Sequence, residues 1–132
     1  TGIENKVIEL AKKFNIKNYF LLDVEYPFIY KSTRIKGFSK IAIRYSEAEP
    51  IELALAHKGL VDWVWVDTFT MLPLTKKSFT KLKNAGFKLC LVCPDQFGRV
   101  QDIKKYKEFM KKNNIKLDAV MAELENIDKW VD

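Results

Sequence analysis

The sequence is poor in the residues that most often announce a function. There is one histidine, His57, so the commonest general acid/base is represented once. Two cysteines, Cys90 and Cys93, are too few for a disulfide scaffold, and a reducing, cytoplasmic setting is expected. No apolar run approaches the ~18 residues of a membrane span, and residues 1–16 read as a polar-rich amphipathic stretch rather than a signal peptide. Neither a GxGxxG nor a P-loop occurs, which removes the usual phosphate-cradling signatures of a nucleotide site. Arginine is scarce as well. Only Arg34, Arg44 and Arg99 stand among 23 basic residues, and the formal net charge of +6 is carried by dispersed lysines on the polar sides of predicted helices. A surface holding phosphates in fixed register uses more Arg than this, so nucleic acid is not expected as a partner.

What is present is an ordinary globular composition, 48% hydrophobic and 30% charged over 132 residues, enough for one domain spanning 1–132. Apolar runs of strand length alternate with helical periodicity. Tyr19–Val24, Lys40–Tyr45, Val61–Asp67, Phe87–Cys93 and Leu117–Ala122 read as five strands. Helices are expected over 3–14, 47–58 with Gly59 as the C-terminal cap, from Pro73 and Thr75 to Gly86, and over 101–113 with Ile103, Tyr106 and Met110 inward. A short helix is expected within 26–38, and another in the tail 126–132, anchored by Trp130. Such alternation predicts an α/β fold with a parallel sheet of about five βα units, covered on both faces. Two architectures fit: a partial (β/α)8 barrel of the TIM type, or an open doubly wound, flavodoxin-like sheet.

Ligands bind at the C-terminal ends of strands in such sheets, and here nearly every predicted strand ends in charge. Asp23 and Glu25 close the first, Arg44 and Ser46 the second, Asp67 the third; the fourth runs into Asp95 with Arg99 beyond, and the fifth into Glu123. Strand alternation would turn Asp23 and Glu25 one way, and would align Trp63, Trp65 and Asp67. Converging carboxylates suit a hard ion, Mg2+ or Ca2+, and an Arg at the same opening suits a phosphate. Asp23, Glu25 and Asp67 are therefore the candidate metal ligands. Arg44, Ser46, Trp65, Asp95, Arg99 and Glu123 are the candidate phosphate or substrate contacts. The competing explanation is structural: acidic residues in βα loops cap helix N-termini, and Ser46-x-x-Glu49 before an apolar run spells a capping box. No residue is assigned a catalytic role. His57 falls late in a helix, where a surface or helix-end position is expected, and Cys90-Leu-Val-Cys93 lies on a strand as core cysteines. A flavodoxin-like signalling domain with Asp23 in an acidic pocket is a third reading, without a convincing Thr or Lys partner.

The runs YFLLDVEYP, KIAIRYSEAEP, GLVDWVWVDTF, AGFKLCLVCP and KLDAVMAELEN resemble, in order and spacing, the last five strands of the glycerophosphodiester phosphodiesterase family of phospholipase-C-like barrels. ENKVIELAKKFNIKN resembles the helix leading into that family's fourth strand. The resemblance implies metal-dependent hydrolysis of phosphoric diesters in a complete barrel, with Asp23 matching the fourth-strand carboxylate. The family's catalytic histidines and second acidic pair belong to strands upstream of this match. Glu25 stands where the family has Lys, Ala122 and Glu123 where it has Thr-Asp, and KLCLVCP lacks the family's tryptophan. The chain alone is thus expected to be inactive. Its alternative is a non-catalytic, degenerate module binding a phosphorylated small molecule or a partner chain. Five strands cannot close a barrel, so self-association through the open sheet edges is expected.

Overall fold

The computed structural model describes residues 2–131. Apolar segments rich in Val, Ile, Trp and Leu form four short strands: β1 (Ala42–Tyr45), β2 (Trp63–Val66), β3 (Lys88–Val92) and β4 (Ala119–Met121). They pair in parallel and in sequence order, β1-β2-β3-β4, with Arg44, Trp65, Cys90 and Ala119 in register across the sheet. Helices separate them: α1 (Glu4–Lys13), α2 (Tyr26–Tyr30) continued by a π-helical turn at Lys31–Ile35, α3 (Ile51–Leu55), α4 (Lys76–Asn84) and α5 (Asp102–Lys112). Two 3-10 turns, Pro94–Phe97 and Leu124–Lys129, follow β3 and β4.

The parallel α/β organisation matches the sequence expectation, with three differences. The predicted first strand survives as one bridge, Leu21 to Ile41. Among the described residues it pairs on one side, and Asp23 leaves the extended region at φ 56°, so the ladder stops. The helix expected from residue 47 begins at Ile51, because Pro50 has no N–H to donate and Ser46–Glu49 fold into a turn. The helix also ends early, at Leu55 with Ala56 as its C-cap, so Gly59, left-handed at φ 75°, lies in the turn beyond and does not cap it.

The third difference concerns coverage. Ile43 and Tyr45, Val64 and Val66, and Leu89 and Leu91 point to one face and form a single core with Ile29, Ala54, Leu82, Tyr106 and Met110 from the helices. The other face presents Arg44, Trp63, Trp65, Cys90, Ala119 and Met121, none of which joins that core. Phe20 packs on it, its ring 5.0 Å from Trp63 and 6.0 Å from Trp65. Only one face of the sheet therefore carries the helical layer. The helix-covered face holds fully buried Leu and Val, while Trp63 and Trp65 on the other remain half-exposed.

Local signals elsewhere behave as physics requires. Thr75 caps α4 in a reciprocal box with Ser78, and Gly86 follows the helix at φ 90°. Ile103, Tyr106 and Met110 are the buried residues of α5. The tail turn is a 3-10 turn starting at Leu124, and Trp130 donates its indole N–H to the Cys93 sulfur at 3.3 Å; Asp132 lies outside the described residues. His57 takes the helix-end position expected of it, but not at the surface. It is buried beyond α3, and its Nδ1–H donates to the Leu53 carbonyl at 2.9 Å. No helix among the described residues is long and apolar enough to cross a membrane.

Candidate functional site

The C-terminal ends of the strands do collect charge, and the structure shows how it is used. Arg44 lies on β1 on the face without helices. Its Nε and Nη2 donate to the two carboxylate oxygens of Asp23 at 2.7 and 2.8 Å, a fork-to-fork pair. Its Nη1 donates to Asp67 Oδ2, one residue past β2. Asp67 lies on that face because it is two residues beyond Trp65, as strand alternation requires. The three side chains differ in exposure: 60% for Asp23, 29% for Arg44 and 3% for Asp67.

Electrostatics follow position. Hydrogen bonding to Arg44 holds the Asp23 carboxyl below its ordinary value. Burial pushes Asp67 the other way, and the Arg44 charge and the Trp65 side chain offset that only in part. Arg44 is held more firmly charged, first by Asp23 and then by Asp67. With both carboxylates ionised the cluster carries a net charge of −1, so the guanidinium is matched before any ligand arrives.

The metal expectation is overturned. No group of three or more His, Cys, Asp or Glu able to hold an ion occurs among the described residues. Asp23 and Asp67 face one another across a guanidinium, which occupies the position that a cation would need. Glu25 does not join them. The left-handed backbone at Asp23 breaks the alternation that would have aligned the two, and Glu25 instead lies exposed just before α2. Mg2+ or Ca2+ is therefore not a cofactor of this cluster.

The remaining candidates are drawn into links between neighbouring loops. Ser46 Oγ accepts from the Ala48 and Glu49 amides, each at 3.1 Å, and donates to Glu49 Oε2 at 2.7 Å. This is a turn clasp one step ahead of α3, not a cap on its first turn. Arg99 donates to Asp102 and to the Tyr106 hydroxyl, both at 2.9 Å, and to the carbonyls of Thr68 and Phe69, binding the loop after β3 to the loop after β2. Asp95 Oδ2 accepts from the Glu123 amide and from Asn126 Nδ2, each at 3.0 Å. Gln96 donates to the Glu123 carboxylate at 2.9 Å. Although burial works against it, Asp95 is held low by these donors and by Cys93. Trp65 packs beside Phe20 on the half-exposed face.

Glu47 completes the series and carries no ligand signal in the sequence. Its Oε1 accepts from the Thr70 amide at 2.7 Å and from the Thr70 hydroxyl at 2.8 Å, joining the loops after β1 and β2. A polar residue just after each of two successive strands was the available clue, and it does not say which partner is met. The two thiols are far from reactive: burial pushes both Cys90 and Cys93 up to about 11.

The polar groups thus run from loop to loop around the strand ends, each satisfied by its neighbour, rather than converging on a central point. No protein-family model matches the chain, and no curated protein matches it.

Proposed function

We propose that the chain is a non-catalytic α/β-barrel-type module that acts by association, its uncovered sheet face and open edges meeting a second copy of itself. The carrying observation is the one-sided helical layer on a sheet in strict sequence order. Right-handed crossovers between successive neighbours place every helix on the same side. A barrel segment would wind in this way, with its inward face free of helices: here that face holds part-exposed Trp63 and Trp65 beside buried Ala42, Cys90 and Val92. Half-exposed Trp63 and Trp65 with Phe20 line that face, and β4 has a single neighbour among the described residues. Aromatic surface of this kind is the compositional mark of an interface core. The lack of catalysis is supported by where the reactive groups sit. His57 is engaged with a backbone carbonyl, the thiols titrate near 11, and Arg44 is matched by two carboxylates.

Sedimentation velocity over a concentration series tests this reading. A concentration-dependent dimer is expected, weakened when Trp63 and Trp65 are both changed to Ser while far-UV circular dichroism is unchanged. A monomer at every concentration sinks it.

One observation favours a second reading, related to the glycerophosphodiester phosphodiesterase resemblance. Arg44 keeps 29% of its side chain exposed at the strand ends, where a phosphodiester would be held. In that reading the chain supplies a phosphate contact to a larger barrel. Its test is a thermal shift with glycerophosphocholine: stabilisation that is lost in Arg44→Met favours it, and no shift favours the association module.

A further inference from the structure

β1, β2 and β3 are each followed by a helix that contributes to the common core, namely α3, α4 and α5. β4 is followed, as β3 is, by a 3-10 turn, here Leu124–Lys129, with Leu124 85% and Ile127 45% exposed. Beside α5 the structure has a groove of about 1100 Å³, with Met110, Ile115, Val120 and Trp130 among its apolar lining. Its rim is basic. Lys104, Lys107, Lys111, Lys116 and Lys129 line it, and Glu108 is the single acid that does. Lys104, Lys107 and Lys111 follow the i, i+3, i+7 spacing of one helical stripe, so α5 turns a mainly positive edge, interrupted by Glu108, toward the groove. The ammonium groups of Lys104, Lys111 and Lys116 have no hydrogen-bond or ion-pair partner among the described residues.

We propose that this groove is a docking site for an acidic amphipathic α-helix of a partner protein. Shape argues for a helix, because residues of α5 from Ile103 to Lys111 line the groove along most of that helix. An apolar floor of this kind takes the apolar stripe of a helix laid along α5. Charge argues for acidity, because Glu or Asp flanking such a stripe meets the lysine rim. Charge also argues against a second copy of this chain as the occupant. The helix with the most exposed apolar stripe, α1, carries Lys6, Lys12 and Lys13 against Glu4 and Glu9, and the whole chain is at +6. The site is separate from the aromatic sheet face proposed for self-association, and its reality does not depend on that association.

The test is fluorescence anisotropy of the full chain with a labelled peptide of about 14 residues, long enough to run beside α5 at ~1.5 Å per residue. Its Leu stripe is flanked by Glu. Controls are the same stripe flanked by Lys, a scrambled Glu/Leu peptide without amphipathic order, and anionic phospholipid vesicles. The Glu-flanked helix is expected to bind at 50 mM salt and to weaken as salt rises. Binding is expected to fall at least tenfold in Lys104→Glu/Lys111→Glu. The pair Lys105→Glu/Lys112→Glu, elsewhere on α5 and outside the groove lining, makes the same change of charge and should keep affinity within threefold. Equal losses in both variants, equal binding of the scrambled peptide, or binding to vesicles alone each overturn the proposal. Sedimentation of Lys104→Glu/Lys111→Glu separates the two surfaces. An unchanged dimer is expected, and its dissociation would reassign the groove to a second copy.

Discussion

Arg44 is the residue on which the strand ends depend most. It bridges an exposed carboxylate and a buried one, and the buried partner decides the cost of losing it. In Arg44→Ala the Asp67 carboxylate stays desolvated with its cation gone. A loss of about 2 kcal/mol is expected in urea unfolding, below the full penalty for breaking a wholly buried pair because Arg44 itself is partly in water. Asp23→Asn should cost under ~1 kcal/mol, since that side chain is mostly solvated and Asn tolerates the left-handed backbone at φ 56°. Arg44→Met with Asp67→Leu should recover most of the loss, because it removes the orphaned charge along with its partner. Failure to recover would mean that the cluster contributes more than mutual neutralisation.

The carboxylates also set an acid limit. Asp23, Glu47, Asp95 and Asp118 are all held below their ordinary values, 3.8 for Asp and 4.5 for Glu. A depressed folded-state pKa contributes stability above the unfolded value and loses it as pH falls through the folded one. Asp67 has the opposite sign. Its pKa is raised, so its ionisation works against folding and its penalty lessens as pH falls. Four groups outweigh one, and unfolding free energy should decline from about pH 4.5 downward. Chemical denaturation at stepped pH checks this. Asp118→Asn should shallow the decline, because it removes the carboxylate that accepts from Lys83 at 2.9 Å and from the Leu89 amide at 2.8 Å.

At the scale of the element, caps decide more than propensity. α4 has Thr75 and Ser78 closing its first turn reciprocally, and Thr75→Ala should cost about 1 kcal/mol by thermal or urea melting. The superficially similar Ser46 and Glu49 clasp a turn before α3, whose first residue follows Pro50. Both pairs have the same sequence spacing. Pro50 separates their fates, since a helix cannot be entered three residues earlier through a residue with no N–H whose predecessor is pushed to an extended conformation. The edge strand shows a similar contrast. Tyr19–Val24 has the composition of a strand, but it has one neighbour among the described residues and a left-handed Asp23, and one bridge is what forms. Composition registers the tendency of a segment; pairing depends on what lies alongside.

For the whole molecule, charge and apolar surface make opposite demands on association. Two copies at +6 repel, while aromatic surface attracts. Self-association is therefore expected to strengthen between 50 and about 300 mM salt as the repulsion is screened, read by sedimentation equilibrium. The proposed acidic-helix site has the reverse dependence, weakening over the same range. The two slopes distinguish a contact made by the aromatic face from one made by the lysine rim.

The one-dimensional pattern was enough for the parallel α/β class and the inward residues of α5. Side-chain period and apolar run length are local properties, and burial follows them. It was also enough to place Asp23, Arg44 and Asp67 at strand ends, because residues at the carboxyl ends of parallel strands share one end of the sheet. Their partners were decided in three dimensions. Whether two carboxylates hold a metal or an arginine depends on a register that sets Arg44 between two neighbouring segments, and on one left-handed residue that turns Glu25 away. That one sheet face has no helical layer was likewise beyond the sequence. Continuous apolar strands read alike whether helices lie on one side or both, and only the order of strands in space determines which.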